Sequence, residues 1–148
     1  MNIIKDRHPL SPEEFSDIFS KVPRLTVEVV IKTDDGFLLT KRSIEPYIGT
    51  WHIPGGTVRF KETLHDALRR VALDELGVMV EPSKLLGYIE YPNVLRAGHG
   101  WPIGIAFLST IVKGEPRGSE QGEEVGYFTK LPVNTFPEQK VFLESLNF

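Results

Sequence analysis

Lys61 to Leu76 carries apolar residues at helical spacing. At about 100° per residue, Leu64, Ala67, Leu68, Val71 and Ala72 fall on one stripe. Glu75 falls in the middle of that stripe and Asp74 at its edge. A carboxylate turned toward a packed face is costly unless something pairs it. Two chemistries fit. In one, the acids bind a cation; carboxylate oxygens suit magnesium, which is commonly shared with substrate phosphates. In the other they are structural: Arg70 pairs with Asp74 at i, i+4, and Glu75 reaches out past the last turn. Gly55-Gly56, ahead of the helix, lets the backbone approach a ligand closely, and a helix N-terminus favours anions. Gly77 supplies the helix stop.

The elements that must hold these residues can be read from both sides. Ser11-Pro12-Glu13-Glu14 starts a helix as a capping box with proline at the first position, running to about Lys21. Leu25 to Thr33 is a β-branched strand, Asp34-Asp35-Gly36 a hairpin turn, and Phe37 to Arg42 the returning strand. Ser43 to Trp51 reads as a loop and Pro54-Gly55-Gly56 as a sharp turn. After the helix come short strands at Val78–Val80 and Leu85–Tyr91, a loop over Pro92–Gly100, and a long strand over Trp101–Val112. Lys113 to Gly126 is a glycine-rich loop with four glutamates. Tyr127–Thr129 is a short strand and Pro137–Leu146 a final helix. Irregular alternation with one tight hairpin predicts an α/β (α+β) layered fold with a mixed sheet. No linker breaks the chain, so residues 1–148 read as one domain with an N-terminal helical segment over 1–22.

Composition narrows the function classes. The 148 residues are 41% hydrophobic and 25% charged, with no cysteine and a net charge of −3. The absent thiols exclude a disulfide scaffold, a cysteine–zinc site and a thiol nucleophile. The acidic balance argues against nucleic-acid and membrane partners. No apolar run approaches the length of a spanning helix, and Met1 to Asp6 lacks a signal-peptide core. A cytoplasmic protein with a small-molecule substrate is expected.

The stretch over residues 56–78 resembles the Nudix (MutT-like) box, with Gly56, Glu62, Arg70, Ala72, Asp74, Glu75, Gly77 and Val78 at the family's spacing without a gap. Val71 departs from it: the family has a glutamate there that binds metal and often acts as general base. The resemblance implies a Nudix-type α/β/α sandwich with a mixed sheet and a loop–helix–loop box. It implies a hydrolase of nucleoside-diphosphate-linked substrates, dependent on magnesium or manganese. Glu75 is then the leading metal ligand, with Asp74 and the Gly56 carbonyl beside it, while Glu62 and Arg70 hold the loop and orient the acids. With Val71 in place, fewer metal ions are implied. The family also leaves room for a homodimer through the N-terminal helix.

A thinned box also resembles the GDP-mannose mannosyl hydrolase branch, which cleaves at the sugar carbon. Pro23–Ile31 and Gly36–Arg42 resemble its first hairpin, with Glu28 at an acidic position and Arg42 at a nucleotide-contacting one. Glu120-Gln121-Gly122-Glu123-Glu124 resembles its late loop, which implies Gln121 as a metal ligand. Gly122 replaces that branch's histidine, however, and Thr57 its arginine. The base is therefore sought elsewhere: Glu124 and Glu123 first, then Glu120, His99 and His52, each weighed against an ordinary surface or structural role. Trp101, Phe60, Tyr47 and Tyr91 are candidates to stack on a nucleobase, with core packing as the alternative. Arg59 and Arg96 are candidates to meet phosphates, with a solvated surface as the alternative. Two other functions stay open: pyrophosphohydrolysis of nucleoside triphosphates or ADP-ribose-like compounds, and a nucleotide-binding or regulatory domain with weak turnover.

Overall fold

The computed structural model describes residues 8–43, 47–93, 100–118 and 122–148, with side chains on the last stretch from Glu124 onward. Ser11 caps helix α1 (Pro12–Phe19) through the expected box: its hydroxyl accepts from the Glu14 N–H, and the Glu14 carboxylate from the Ser11 N–H, both at 3.1 Å. The strands follow as β1 (Pro23–Val30), β2 (Lys32–Thr33), β3 (Gly36–Arg42), β4 (Trp51–His52) and β5 (Gly55–Thr57). Helix α2 (Leu64–Leu76) comes next, then β6 (Met79–Glu90), β7 (Trp101–Lys113), β8 (Gly122–Phe128) and α3 (Pro137–Ser145).

One sheet has the order β5-β1-β7-β6. In it β1 and β7 run parallel while β5 and β6 are antiparallel to their neighbours, so the sheet is mixed as expected. The second sheet joins β2, β3 and β4, with β8 also paired to β3. Alternation along β1 sends Val27, Val29 and Ile31 to one face and Val30 to the other. Helix α2 covers the first face with Ala67, Leu68, Val71, Ala72 and Leu76. Leu143 of α3 joins the cluster on the second, with Ile89, Ala106, Leu39 and Ile53. The helices thus flank the sheet in the α/β/α arrangement. Full burial of a leucine such as Leu68 or Leu76 contributes about 1.5–3 kcal/mol, so this packing fixes α2 on β1.

Four sequence expectations shift. The helix begins at Leu64 rather than Lys61: Lys61 takes φ 66°, and the Thr63 hydroxyl caps the helix by accepting from the Asp66 N–H at 3.1 Å. The strand expected over Leu25–Thr33 divides at Ile31, because β1 pairs in the first sheet and β2 in the second. The strands expected at Val78–Val80 and Leu85–Tyr91 are one, β6. Pro82 stays within it beside a register shift, on an edge strand of the sheet, where a proline is tolerated. Finally, the acidic loop ends earlier than read, since pairing with β3 draws residues 122–126 into β8. Long-range pairing overrides local composition in the last two cases.

Gly36 closes the β2–β3 hairpin at φ 108°, where a Cβ would lie 2.1 Å from the Phe128 backbone carbonyl. Gly36→Ala is expected to destabilise the fold by about 2–4 kcal/mol, since neither the dihedral nor the β8 backbone can yield. Urea unfolding measures this, and a loss below about 1 kcal/mol would show that the hairpin and β8 can separate.

Candidate active site

Strand β5 is the edge of the first sheet, with Glu28 opposite Gly55, Val27 opposite Gly56 and Thr26 opposite Thr57. From β5 the chain turns into α2, and Glu62 pins the turn. Arg70 donates from Nε to Glu62 Oε2 at 2.7 Å and from Nη2 to Oε1 at 2.8 Å. Glu62 Oε1 also accepts from the Arg59 N–H at 3.1 Å, and Arg70 Nη2 reaches the Thr57 carbonyl at 2.9 Å. Both side chains are mostly buried, so this two-point fork is shielded from water and geometrically specific. The Arg70 bond holds the Glu62 carboxyl below its ordinary value. Asp74 Oδ2 lies 4.0 Å from Arg70 Nη1, so the i, i+4 contact read from sequence is present but secondary to Glu62.

Val71 is 2% exposed and faces Gly56; its Cγ2 lies 3.0 Å from where a Cβ on that glycine would stand. Asp74 and Glu75 follow one turn later, half-buried. Glu75 therefore sits between the buried side chains of Val71, Ala72 and Leu76 and open space, as the helical wheel requires.

Glu28 is the site's buried acid, 5% exposed on β1. It lies across two glycines: Cβ atoms at Gly55 and Gly104 would approach its carboxylate oxygens to 2.4 and 2.5 Å. The Tyr91 hydroxyl donates to Glu28 Oε1 at 2.8 Å. Gln139 of α3 donates from Nε2 to the Tyr91 oxygen at 3.0 Å, and its Oε1 accepts from the Ile53 N–H at 2.7 Å. Burial pushes the Glu28 carboxyl up to about 8, and the charge of Glu75 adds to the rise, against the Tyr91 bond and Arg24. Burial and Glu28 likewise push the Tyr91 hydroxyl up. Glu75 and Glu28 thus act on each other from α2 and β1 at the β5 edge.

Other sequence candidates lie elsewhere. Tyr91 is 6% exposed and edge-on to Phe136 at 5.6 Å, so it positions Glu28 and is not available to stack on a base. Phe60 is exposed on the β5–α2 turn, Trp101 is 48% exposed at the start of β7, and Tyr47 packs edge-on to Phe136 at 5.3 Å. Arg42 ends β3 opposite Gly122 of β8. Glu123 and Glu124 belong to β8, and Glu124 stands opposite Lys41 with its carboxylate 3.7 Å from Nζ. His52 is structural: its ring bonds Thr40 Oγ1 at 3.1 Å and the Ile53 carbonyl at 3.0 Å, and burial lowers it to about 4. Gln121, Glu120, Arg96 and His99 lie outside the described residues. Sequence reasoning missed Gln139, whose link to Glu28 runs through Tyr91, 48 positions earlier in the chain. Nothing local signals it.

Because Glu28 binds its proton more tightly folded than unfolded, stability is full below the ordinary carboxylate value and falls as pH rises toward about 8. Glu28→Gln, neutral throughout, is expected to flatten that slope. In EDTA its stability relative to wild type should be about 2–4 kcal/mol more favourable at pH 8 than at pH 5. Urea melts at the two pH values test this; parallel slopes would mean that Glu28 ionises without cost.

Comparison with known proteins agrees with the architecture. The NUDIX domain model matches residues 22–144. The low-salt glycan biosynthesis protein Agl8 of Haloferax volcanii is 47% identical over 79 residues, a match spanning 53% of this chain and only about half, 51%, of that protein. The ADP-ribose pyrophosphatase of Methanocaldococcus jannaschii is 29% identical over 85% of this chain and 75% of its own. The crystal structure of a MutT Nudix hydrolase from Burkholderia pseudomallei superposes with a TM-score of 0.76 at 29% identity, covering 86% of this chain and all of that one. With α2, its glycine edge and the sheet all in the matched span, the chain belongs to the Nudix hydrolase family.

Proposed function

We propose that the chain is a magnesium- or manganese-dependent hydrolase of a nucleoside-diphosphate-linked substrate, a nucleotide sugar of the GDP-mannose kind. One observation carries this reading: α2 ends in two half-buried acids beside a glycine edge strand that is locked to the helix by Glu62 and Arg70. Among the described residues no three histidines or acids converge as a ready metal cage. The donors at hand are instead Asp74, Glu75 and the Gly56 carbonyl, all hard oxygens, with Gln121 a further proposed donor. That set suits an ion that keeps waters and shares phosphate oxygens with the substrate. When bound there, such an ion polarises the phosphate and offsets its charge.

The chain's own residues do the rest. Glu62 and Arg70 keep the Gly56 carbonyl and the two acids in one register. Glu28, protonated at neutral pH and held by Tyr91, presents a neutral carboxyl instead of a second buried charge beside Glu75. Val71 can neither ligate nor accept a proton, so the base is assigned to the β8 acids, Glu124 or Glu123. Arg42 and Trp101 are assigned to the nucleotide. The glycan-biosynthesis relative favours the nucleotide-sugar substrate. The ADP-ribose pyrophosphatase relative favours a second reading, cleavage of an ADP-ribose-like diphosphate. The buried Val71 favours a third, a nucleotide-binding domain with weak turnover.

Turnover of nucleotide sugars, dinucleotides and nucleoside triphosphates in ¹⁸O-labelled water separates these readings. Label in the sugar means attack at carbon, and label in a phosphate means attack at phosphorus. Glu75→Gln is expected to lower kcat/KM by about 100-fold or more, a loss of roughly 3 kcal/mol of transition-state stabilisation, without loss of fold. Retained activity in Glu75→Gln would remove α2 from the reaction. Folded wild-type protein that binds nucleotides and turns over none of them would leave the binding domain.

A further inference from the structure

On β7, Ile105, Phe107 and Ile111 belong to the α2-side cluster, and alternation puts Ser109 in the same row. Ser109 is 3% exposed, and its hydroxyl has no hydrogen-bond partner among the described residues. A buried hydroxyl left unpaired in an apolar row is costly, and a valine there would avoid the cost. The position calls for a partner from outside the fold. Ser109 lines a cavity of about 290 Å³, with Ile31, Ile111, Pro116 and Tyr127 among its walls.

This cavity is separate from the glycine edge. The β1–β7 register sets Glu28 beside Ala106 and Val30 beside Leu108. Ser109 therefore stands three residues further on, about 10 Å along the strands, and on the opposite face of the sheet from Glu28. Its outer wall is fixed. Gly114 turns at φ 96°, where a Cβ would stand 3.0 Å from the Gly77 carbonyl oxygen, and the Arg117 N–H donates to the Leu76 carbonyl at 2.9 Å. Residues 114–117 are thus fastened to the end of α2, and the cavity is preformed, as small-molecule sites usually are.

The mouth selects by charge. Glu115 lines it, and after burial the charges of Glu115 and Asp35 push the Tyr127 hydroxyl up. These carboxylates oppose an anion. Lys32, which also lines the cavity with its Nζ 5.2 Å from the Phe148 ring, opposes a cation. The occupant left is neutral. Its size is that of one ring, since small-molecule pockets run upward from about 300 Å³. Its edge must both donate and accept. Ser109 and Tyr127 can do either, and the Thr33 hydroxyl, which accepts from the Asp35 N–H at 3.2 Å, keeps a proton to give. Its faces must be apolar to lie against Ile31 and Ile111. A sugar ring has hydroxyls at its edge and C–H groups on its faces.

We propose that the cavity at Ser109 binds a neutral hydroxylated ring of monosaccharide size, as a free sugar or as the ribose of a nucleoside, at a site separate from the candidate active site. The proposal stands without the hydrolase reading, because no residue of the cavity is assigned to the reaction.

The test is an amide ¹H–¹⁵N NMR titration of the full chain with D-mannose, D-glucose and adenosine. At least one is expected to bind with a Kd of about 1–10 mM and to shift the amides of Ile31, Ser109, Ile111 and Gly114. A response to the hexoses assigns the site to a free sugar, and a response to adenosine alone assigns it to a nucleoside ribose; either supports the proposal. No saturable shift at these amides at about 50 mM hexose and about 20 mM adenosine overturns it, and so do shifts confined to Glu28, Gly55 and Gly56. Ser109→Val replaces the hydroxyl with methyl groups and should weaken binding by about 10-fold or more, with Tm at or above that of wild type. Ser109→Ala removes the hydroxyl without added bulk and should weaken it by about 3- to 10-fold. If Ser109→Val fails to fold, Ser109→Ala decides. Affinity within about twofold of wild type in the folded variant overturns the site.

Discussion

Glu62 spends both carboxylate oxygens on Arg70 and the Arg59 amide, and nearly every feature of the site follows from that commitment. To reach Arg70, Glu62 must leave the helical path, which is why α2 starts at Leu64 and Lys61 turns with positive φ. Because Arg70 also holds the Thr57 carbonyl, the fork ties the edge strand to the middle of the helix. Asp74 and Glu75 then have fixed places relative to Gly56, one turn beyond the knot. A buried pair of this kind adds little net stability, since desolvating both ions offsets most of their attraction. Its effect is register: an end of a helix and an edge of a sheet become one rigid part.

The other buried acid is handled in the opposite way. Glu62 is kept charged by a guanidinium, whereas Glu28 is denied full compensation and holds its proton to about pH 8. The difference lies in the surroundings. Glu28 lies over bare glycine backbone at positions 55 and 104, with a phenol as its donor, while Arg24 is turned toward Thr57. Such an arrangement costs folding energy at high pH. The fold nonetheless invests Tyr91, Gln139 and the Ile53 amide in it, from β6 and its following residue, α3 and the β4–β5 turn. Three elements converge to hold one neutral carboxyl at the point where β1 meets the glycine edge.

Legibility in the sequence followed the range of the interactions. The α2 stripe, the Gly77 stop, the Ser11 capping box and the β2–β3 hairpin are all set within a few residues, and all are present. The spacing of residues 56–78 also carried the family. What sequence reading misplaced depends on distant partners. The span after Lys113 looks like a glycine-rich acidic loop until β3 pairs with its second half. Pro82 looks like a break until β7 supplies a ladder that bulges around it. Tyr91 looks like an aromatic for stacking until Glu28 and Gln139 claim its hydroxyl. The single acid within the apolar run of β1, Glu28, was the available hint of a buried network, though neither its donor nor the glycines that make room for it are near in sequence.

Val71 then takes a sharper meaning. Its side chain fills the space against Gly56, so the loss of a carboxylate at this position is not a gap but a packed contact. The α2 side of the edge therefore carries two acids, Asp74 and Glu75, in place of the family's three. With Glu28 neutral as well, the negative charge available to hold a cation is reduced twice. On the proposed reading, more of an ion's shell then falls to the Gly56 carbonyl and to water, so the Glu62–Arg70 lock that sets that carbonyl and the two acids in one register gains in weight.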